Sequence, residues 1–265
     1  MATRGYAQEA FSLGLQVSSS SRGDTRSFVF CLPPKNEMAC CRVTSSTIAR
    51  RSVRALSTPS AGRYEASKTA LVLIEFQNNF CKPGGGSYGG PKVELERLNV
   101  IPNTIDLVRR ARALGVPIVW APITYNDDFS DLPVRDFGIM AGAADRGGFK
   151  RSEWDGAIID ELKPHPEDVV LARKTGLDAF AQESELNAVL EEKGVTTIAV
   201  GGLLTNCCVE STVRTGYELG YNVITLKDCT ATLDEKAYLQ SIEGSLPLFS
   251  IVTEKDVFLE QVTAA

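Results

Sequence analysis

The sequence predicts an α/β fold: a single domain in which an open, mostly parallel six-stranded sheet is covered by helices on both faces, giving three layers. Three observations predict it. From residue 68 onward, short apolar runs rich in β-branched side chains alternate with helical stretches, the trace that parallel strands and their crossover helices leave in a sequence. Each run is largely apolar along its whole length, as a strand buried on both faces must be. A length of 265 residues with 43% hydrophobic content supports one sizeable core and leaves no room for a second full domain.

The expected strands span 69–75, 117–121, 168–172, 196–201, 222–226 and 249–252. Between the first two, segment 101–114 carries apolar residues at 101, 105, 108, 111 and 114 and stops at Gly115. Segment 183–193 stops at Gly194 and segment 208–219 at Gly220. Glycine suits these stops because a helix end commonly turns into left-handed backbone. Segments 234–244 and 254–262 complete the helices, and no internal repeat of fixed period is present.

Residues 1–63 are a different kind of sequence. They hold nine Lys and Arg against three acids, whereas the rest of the chain holds 19 basic and 30 acidic residues. Rich in Ser, Thr and Arg and without sustained periodicity, this stretch reads as an organellar targeting segment of mitochondrial or plastid type. The other reading is a disordered tail that stays attached, with a cytoplasmic location. The folded domain is expected to span 64–265.

A net charge of −5 argues against binding of nucleic acid, which needs a basic face to displace counterions. No apolar run approaches the ~18 residues that a membrane-crossing helix requires, so no membrane partner is expected. The seven cysteines, at 31, 40, 41, 81, 207, 208 and 229, lack the spacing of a zinc site or a disulfide framework and fit a reducing compartment. The single histidine, His165, lies between two prolines and is expected on a surface loop. A histidine triad and a multi-histidine metal site are thereby set aside, and no metal or cofactor is expected.

Ligands of open α/β sheets bind beyond the carboxyl ends of the strands. Three chemistry-bearing residues fall there: Glu75 at the end of the first strand, Lys174 just after the third, and Cys208 where the fourth turns through a glycine-led segment into a helix. A thiol needs ionising before it attacks, and a neighbouring ammonium and a helix N-terminus both favour the thiolate. A carboxylate beside it can take the thiol proton, pass it to a leaving amine and later activate water. The glycine-led turn can also aim backbone N–H groups at a developing oxyanion.

These residues carry a family resemblance. Leu71-Val72-Leu73-Ile74-Glu75-Phe76-Gln77-Asn78-Asn79-Phe80 resembles the first-strand motif of isochorismatase-like hydrolases. Arg173-Lys174-Thr175-Gly176-Leu177-Asp178-Ala179-Phe180 resembles their lysine loop, and Gly202-Leu203-Leu204-Thr205-Asn206-Cys207-Cys208-Val209 their nucleophile turn. The order acid, lysine, cysteine also agrees. The resemblance implies Cys208 as nucleophile with Lys174 and Glu75 as its catalytic partners. It implies an oxyanion hole from the N–H groups of Leu204 and Cys208, with a cis peptide between Leu203 and Leu204. Most relatives have Asp where this chain has Glu75, and the nicotinamidase-type relatives bind a metal through histidines that have no counterpart here.

The expected substrate-binding set is Gln77, Phe80, Trp154 and Thr205. Gln77 either orients the charged groups by hydrogen bonding or simply packs. Phe80 lines the pocket, Trp154 forms a pocket wall or covers a subunit contact, and Thr205 with Asn206 shapes the turn. The glycine-rich segment 82–90 lacks a phosphate-loop ending and is read as a flap. The expected activity is hydrolysis of a C–N bond in a small amide, carbamoyl or ureido compound through a cysteine thioester. The alternative is a catalytically weak or inactive small-molecule-binding protein of the same fold. Homo-oligomerisation is expected from the resemblance alone.

Overall fold

The six apolar runs form one sheet. In the computed structural model, which describes residues 64–264 except 133, 134, 182 and 183, they are β1 Thr69–Ile74, β2 Ile118–Ala121, β3 Val169–Val170, β4 Thr197–Leu203, β5 Asn222–Ala231 and β6 Ile251–Thr253. The spatial order is β3-β2-β1-β4-β5-β6, and every neighbouring pair is parallel. The expected targeting segment, residues 1–63, lies outside the described residues.

The helices that position the site are α1 Val100–Ala113, α2 Leu186–Glu192, α3 Glu210–Glu218, α4 Glu235–Leu239 and α5 Lys255–Gln261. The pleat of β1 sorts them into two layers. Leu71 and Leu73 join the cluster that holds Leu107 and Ala111 of α1 and Phe258 of α5. Ala70, Val72 and Ile74 join the cluster that holds Leu186 of α2 and Val213 of α3. All six residues of β1 are buried, so each of its larger aliphatic side chains contributes about 1.5–3 kcal/mol of burial.

Two expected strands differ in length by three residues or more. The third is only two residues long, because Asp168 is committed elsewhere: its Oδ2 accepts from Arg112 Nη2, Trp120 Nε1 and the His165 N–H. His165 itself is exposed on the turn before that strand. The fifth strand runs five residues further than 222–226, because β4 and β5 slip register between Val200 and Gly202 and resume pairing at Thr230. The polar stretch Lys227-Asp228-Cys229 sits in that bulge, where the Asp228 carboxylate accepts from the Lys255 N–H at the start of α5.

The expected helix 208–219 begins as a wide π-type turn over Thr205–Val209 and becomes α-helical at Glu210. The expected helix 234–244 splits likewise into α4 and a wide turn over Gln240–Ser245. Elements absent from the expectation include three short helices, Asn78–Cys81, Lys92–Arg97 and Ala143–Arg146, and a parallel pair of two-residue strands, Tyr64–Glu65 with Val262–Thr263. Among the described residues no helix is long and apolar enough to cross a membrane.

Candidate active site

The strand order reverses between β1 and β4, which opens a crevice at their carboxyl ends. The two backbones approach closely there because Gly202 has no side chain. A Cβ on it would lie 2.1 Å from the Ile74 carbonyl oxygen, and its φ of +136° suits glycine alone. Glu75 follows β1 directly and takes a left-handed backbone with φ +57°, unusual for a residue other than Gly, Asn or Asp. Its N–H is held by the Ala121 carbonyl of β2 at 3.2 Å, so both neighbouring strands fix the base of the side chain.

Glu75, Lys174 and Cys208 meet in this crevice. Cys208 Sγ donates to Glu75 Oε2 at 3.4 Å, while Lys174 Nζ donates to the other oxygen, Oε1. Lys174 Nζ also donates to the Gly176 carbonyl at 2.9 Å. The three residues are 1%, 0% and 3% exposed respectively.

Lys174 comes from the loop after β3, and that loop is docked on α3. Thr212 of α3 donates to the Cys208 carbonyl at 2.8 Å and accepts from the Ala179 N–H at 3.0 Å. Thr215 donates to Asp178 Oδ2 at 2.6 Å, and Asp178 Oδ1 accepts from the Phe180 N–H at 2.8 Å. On the other side the Lys174 carbonyl accepts from the Thr124 N–H at 3.1 Å. Thr212 and Asp178 thus position lysine and thiol together. Sequence reasoning did not single them out, although both belong to the motif-bearing stretches.

Burial dominates the electrostatics. It raises the Glu75 pKa above the usual 4.5 even though the Lys174 charge and hydrogen bonds from Lys174 and Cys208 pull the other way. Hydrogen bonding with Cys207, burial and the Glu75 charge push the Cys208 thiol well above 9.0, with Lys174 opposing. This corrects the expectation of a thiolate favoured by its neighbours. The ammonium is engaged by Glu75 and Gly176, so the sulfur faces an ion pair of no net charge and keeps its proton at rest. Glu75, raised toward neutrality, is accordingly suited to accept that proton.

The remaining expected residues fall in different places. Gln77 is fully buried, with Nε2 donating to the Ile123 and Gly156 carbonyls at 2.8 Å each and Oε1 accepting from the Ile123 N–H at 2.9 Å. Both amide N–H groups are used to staple two loops beside Glu75. Thr205 is buried, and its hydroxyl bonds that of Thr230 at 2.8 Å within the turn that it was expected to shape. Phe80 is half-buried with its ring centroid 5.1 Å from that of Phe149. Trp154 is 54% exposed, with its indole beside Gly84. The 82–90 segment is tied down, the Ser87 N–H bonding both the Asn79 carbonyl and its Oδ1.

The Leu203–Leu204 peptide is cis, as the resemblance implies. The Leu204 carbonyl accepts from the Cys207 N–H at 3.0 Å and the Val209 N–H at 3.2 Å, which winds the turn that presents Cys208. No group of three His, Cys, Asp or Glu side chains among the described residues is arranged to hold a metal ion.

Residues 69–257 match the family model of the isochorismatase domain, a span that takes in all three site residues. The chain belongs to the isochorismatase family. Solved structures with the family's fold agree with this placement. A cysteine hydrolase from Pseudomonas syringae pv. phaseolicola 1448A superposes with a TM-score of 0.65 at 24% identity, covering 75% of this chain and 94% of that one. N-carbamoylsarcosine amidase from Thermoplasma acidophilum gives 0.55 at 20% identity, covering 71% and 97%. Pyrazinamidase of Pyrococcus horikoshii, in complex with zinc, gives 0.57 at 17% identity, covering 71% and 99%. The chain is thus an isochorismatase-family hydrolase by membership.

Proposed function

We propose that this isochorismatase-family protein cleaves the C–N bond of a small amide, carbamoyl or ureido compound through a thioester on Cys208. The observation that carries the reading is one carboxylate shared by two partners: Glu75 accepts from the Cys208 thiol through one oxygen and from the Lys174 ammonium through the other.

In this scheme Glu75 takes the thiol proton as the sulfur attacks the carbonyl carbon. The oxyanion is received by the N–H groups of Leu204 and Cys208, the kind of contact whose loss costs about 3–4 kcal/mol of barrier in a hydrolase. Glu75 then gives its proton to the departing nitrogen, the C–N bond breaks and the amine or ammonia leaves. A water that Glu75 deprotonates attacks the thioester, the acid is released and the sulfur recovers its proton. Lys174 keeps the carboxylate oriented and lowers the cost of its charge throughout. Because all three groups are shielded from solvent, admission of substrate requires a local opening of the crevice.

The test is ammonia release from a panel of small amides, carbamoyl amino acids and ureido acids. Any compound that the wild type hydrolyses should lose at least about 10⁴-fold in kcat with Cys208→Ala, since removal of a nucleophile costs that much or more. Unchanged turnover in Cys208→Ala would refute the scheme. Tight binding of panel compounds with no ammonia released would assign the chain to the non-catalytic, ligand-binding alternative.

A further inference from the structure

Around the crevice nearly every buried polar group is engaged within the protein. Both Glu75 oxygens, the Lys174 ammonium, the Gln77 amide, and the Thr205 and Thr212 hydroxyls have partners named above. The Tyr125 hydroxyl differs. Tyr125 lies just beyond the carboxyl end of β2 and is 2% exposed, yet its hydroxyl has no hydrogen-bond partner among the described residues.

Its ring is held in place. The Tyr125 N–H donates to the Phe149 carbonyl and its own carbonyl accepts from the Arg151 N–H, each at 2.9 Å. The preceding residue, Thr124, bonds the backbone of Lys174, and the Phe129 ring centroid lies 5.9 Å from that of Tyr125. The phenol is within electrostatic reach of Glu75 and Cys208, and also of Asp131 and Arg146. Burial, with the Glu75 carboxylate nearby, pushes its pKa above the usual 10, so it stays a neutral hydroxyl. A hydroxyl that is held in place, uses no partner among the described residues and lies within electrostatic reach of the catalytic pair is free to pair with a ligand.

We propose that Tyr125 hydrogen-bonds a second polar group on the substrate, an acceptor separate from the carbonyl that Cys208 attacks, and so selects for compounds that carry one. The proposal rests on the hydrolase reading for the reaction it serves, and its test separates the two. A site built to pair a buried polar group discriminates against an analogue lacking that group far more sharply than an apolar wall can.

The probes are N-carbamoylglycine, which carries a carboxylate acceptor beside its urea, and propylurea, which lacks it. Their affinities are measured by calorimetry on full-length Cys208→Ala protein with and without Tyr125→Phe, and ammonia release is followed in parallel with Cys208 intact. Tyr125→Phe should weaken N-carbamoylglycine by about tenfold or more and leave propylurea unchanged, as the loss of one ligand hydrogen bond predicts. Its melting temperature should equal or exceed that of the parent, because no hydrogen bond within the protein is lost. Equal effects on both probes, failure of N-carbamoylglycine to bind the parent, or a lowered melting temperature would each overturn the assignment, the last by making the hydroxyl structural. Selective binding without ammonia release would leave Tyr125 as a ligand contact and sink the hydrolase reading instead.

Discussion

Two lysine–carboxylate pairs in this molecule use the same chemistry with carboxylates of different burial. On the outer face of α1, Asp106 accepts from Lys255 at 2.9 Å and from Arg109 and Arg110, and it is one-third exposed. In the crevice, Glu75 accepts from Lys174 with almost no water in reach. The first carboxylate is pulled well below its ordinary 3.8, chiefly by the hydrogen bond from Lys255, and the second is pushed above its ordinary 4.5 by burial. Opposite titration from similar contacts teaches that the number of donors and the loss of water decide the outcome, since one ion pair does not repay full desolvation.

The contrast can be broken from either side. Lys174→Ala should have the largest effect on stability, about 3–5 kcal/mol at pH 8 by urea unfolding, because it strands a buried charge. The loss should shrink as pH falls through the raised native pKa of Glu75, where the carboxylate takes up its proton. A pH-independent loss would mean that the lysine matters for packing alone. Next in size, Glu75→Asp should withdraw the carboxylate by about 1.5 Å from a thiol now 3.4 Å away. Turnover should then fall by roughly 10²-fold, the lower end of what a positioned acid–base group contributes. A rise would mean that glutamate handicaps this site.

The pH dependence follows from the two directions. A raised native pKa means that the stability contributed by Glu75 is fully present below 4.5 and is lost as pH rises through its native value. Asp106, lowered in the native state, contributes above 3.8 and loses that contribution as pH falls through its native value. Urea titrations of Asp106→Asn should therefore flatten the acid side of the stability profile and leave the neutral side unchanged. The acid limb of kcat/KM should lie above an ordinary carboxylate's, since Glu75 must be ionised to accept the thiol proton. The smallest effect is expected from Lys255→Ala, no more than about 1 kcal/mol at any pH, since Asp106 keeps Arg109, Arg110 and access to water.

The sheet was legible in the sequence because its strands are buried on both faces and so appear as bare apolar runs. The crevice was legible because three unlike residues each follow such a run. What escaped notice depends on partners distant in sequence. The extension of β5 needed the bulge that hides Lys227-Asp228-Cys229, and the short β3 needed Arg112 and Trp120 to claim Asp168. The stapling role of Gln77 was not visible, because nothing local shows that the Ile123 and Gly156 carbonyls use both its donors. Tyr125 had a signal, its place just past a strand end, but no motif drew attention to it.

The central claim is that sulfur and carboxylate act as one reactive unit. Its most direct measurement is rapid acid quench during turnover of a hydrolysed amide, followed by peptide mass mapping. The acyl group should be found on the peptide bearing Cys207 and Cys208, localised to Cys208 by fragmentation, and should vanish in Glu75→Gln. Steady turnover with no acylated cysteine, or with the acyl group on Cys207, would contradict it.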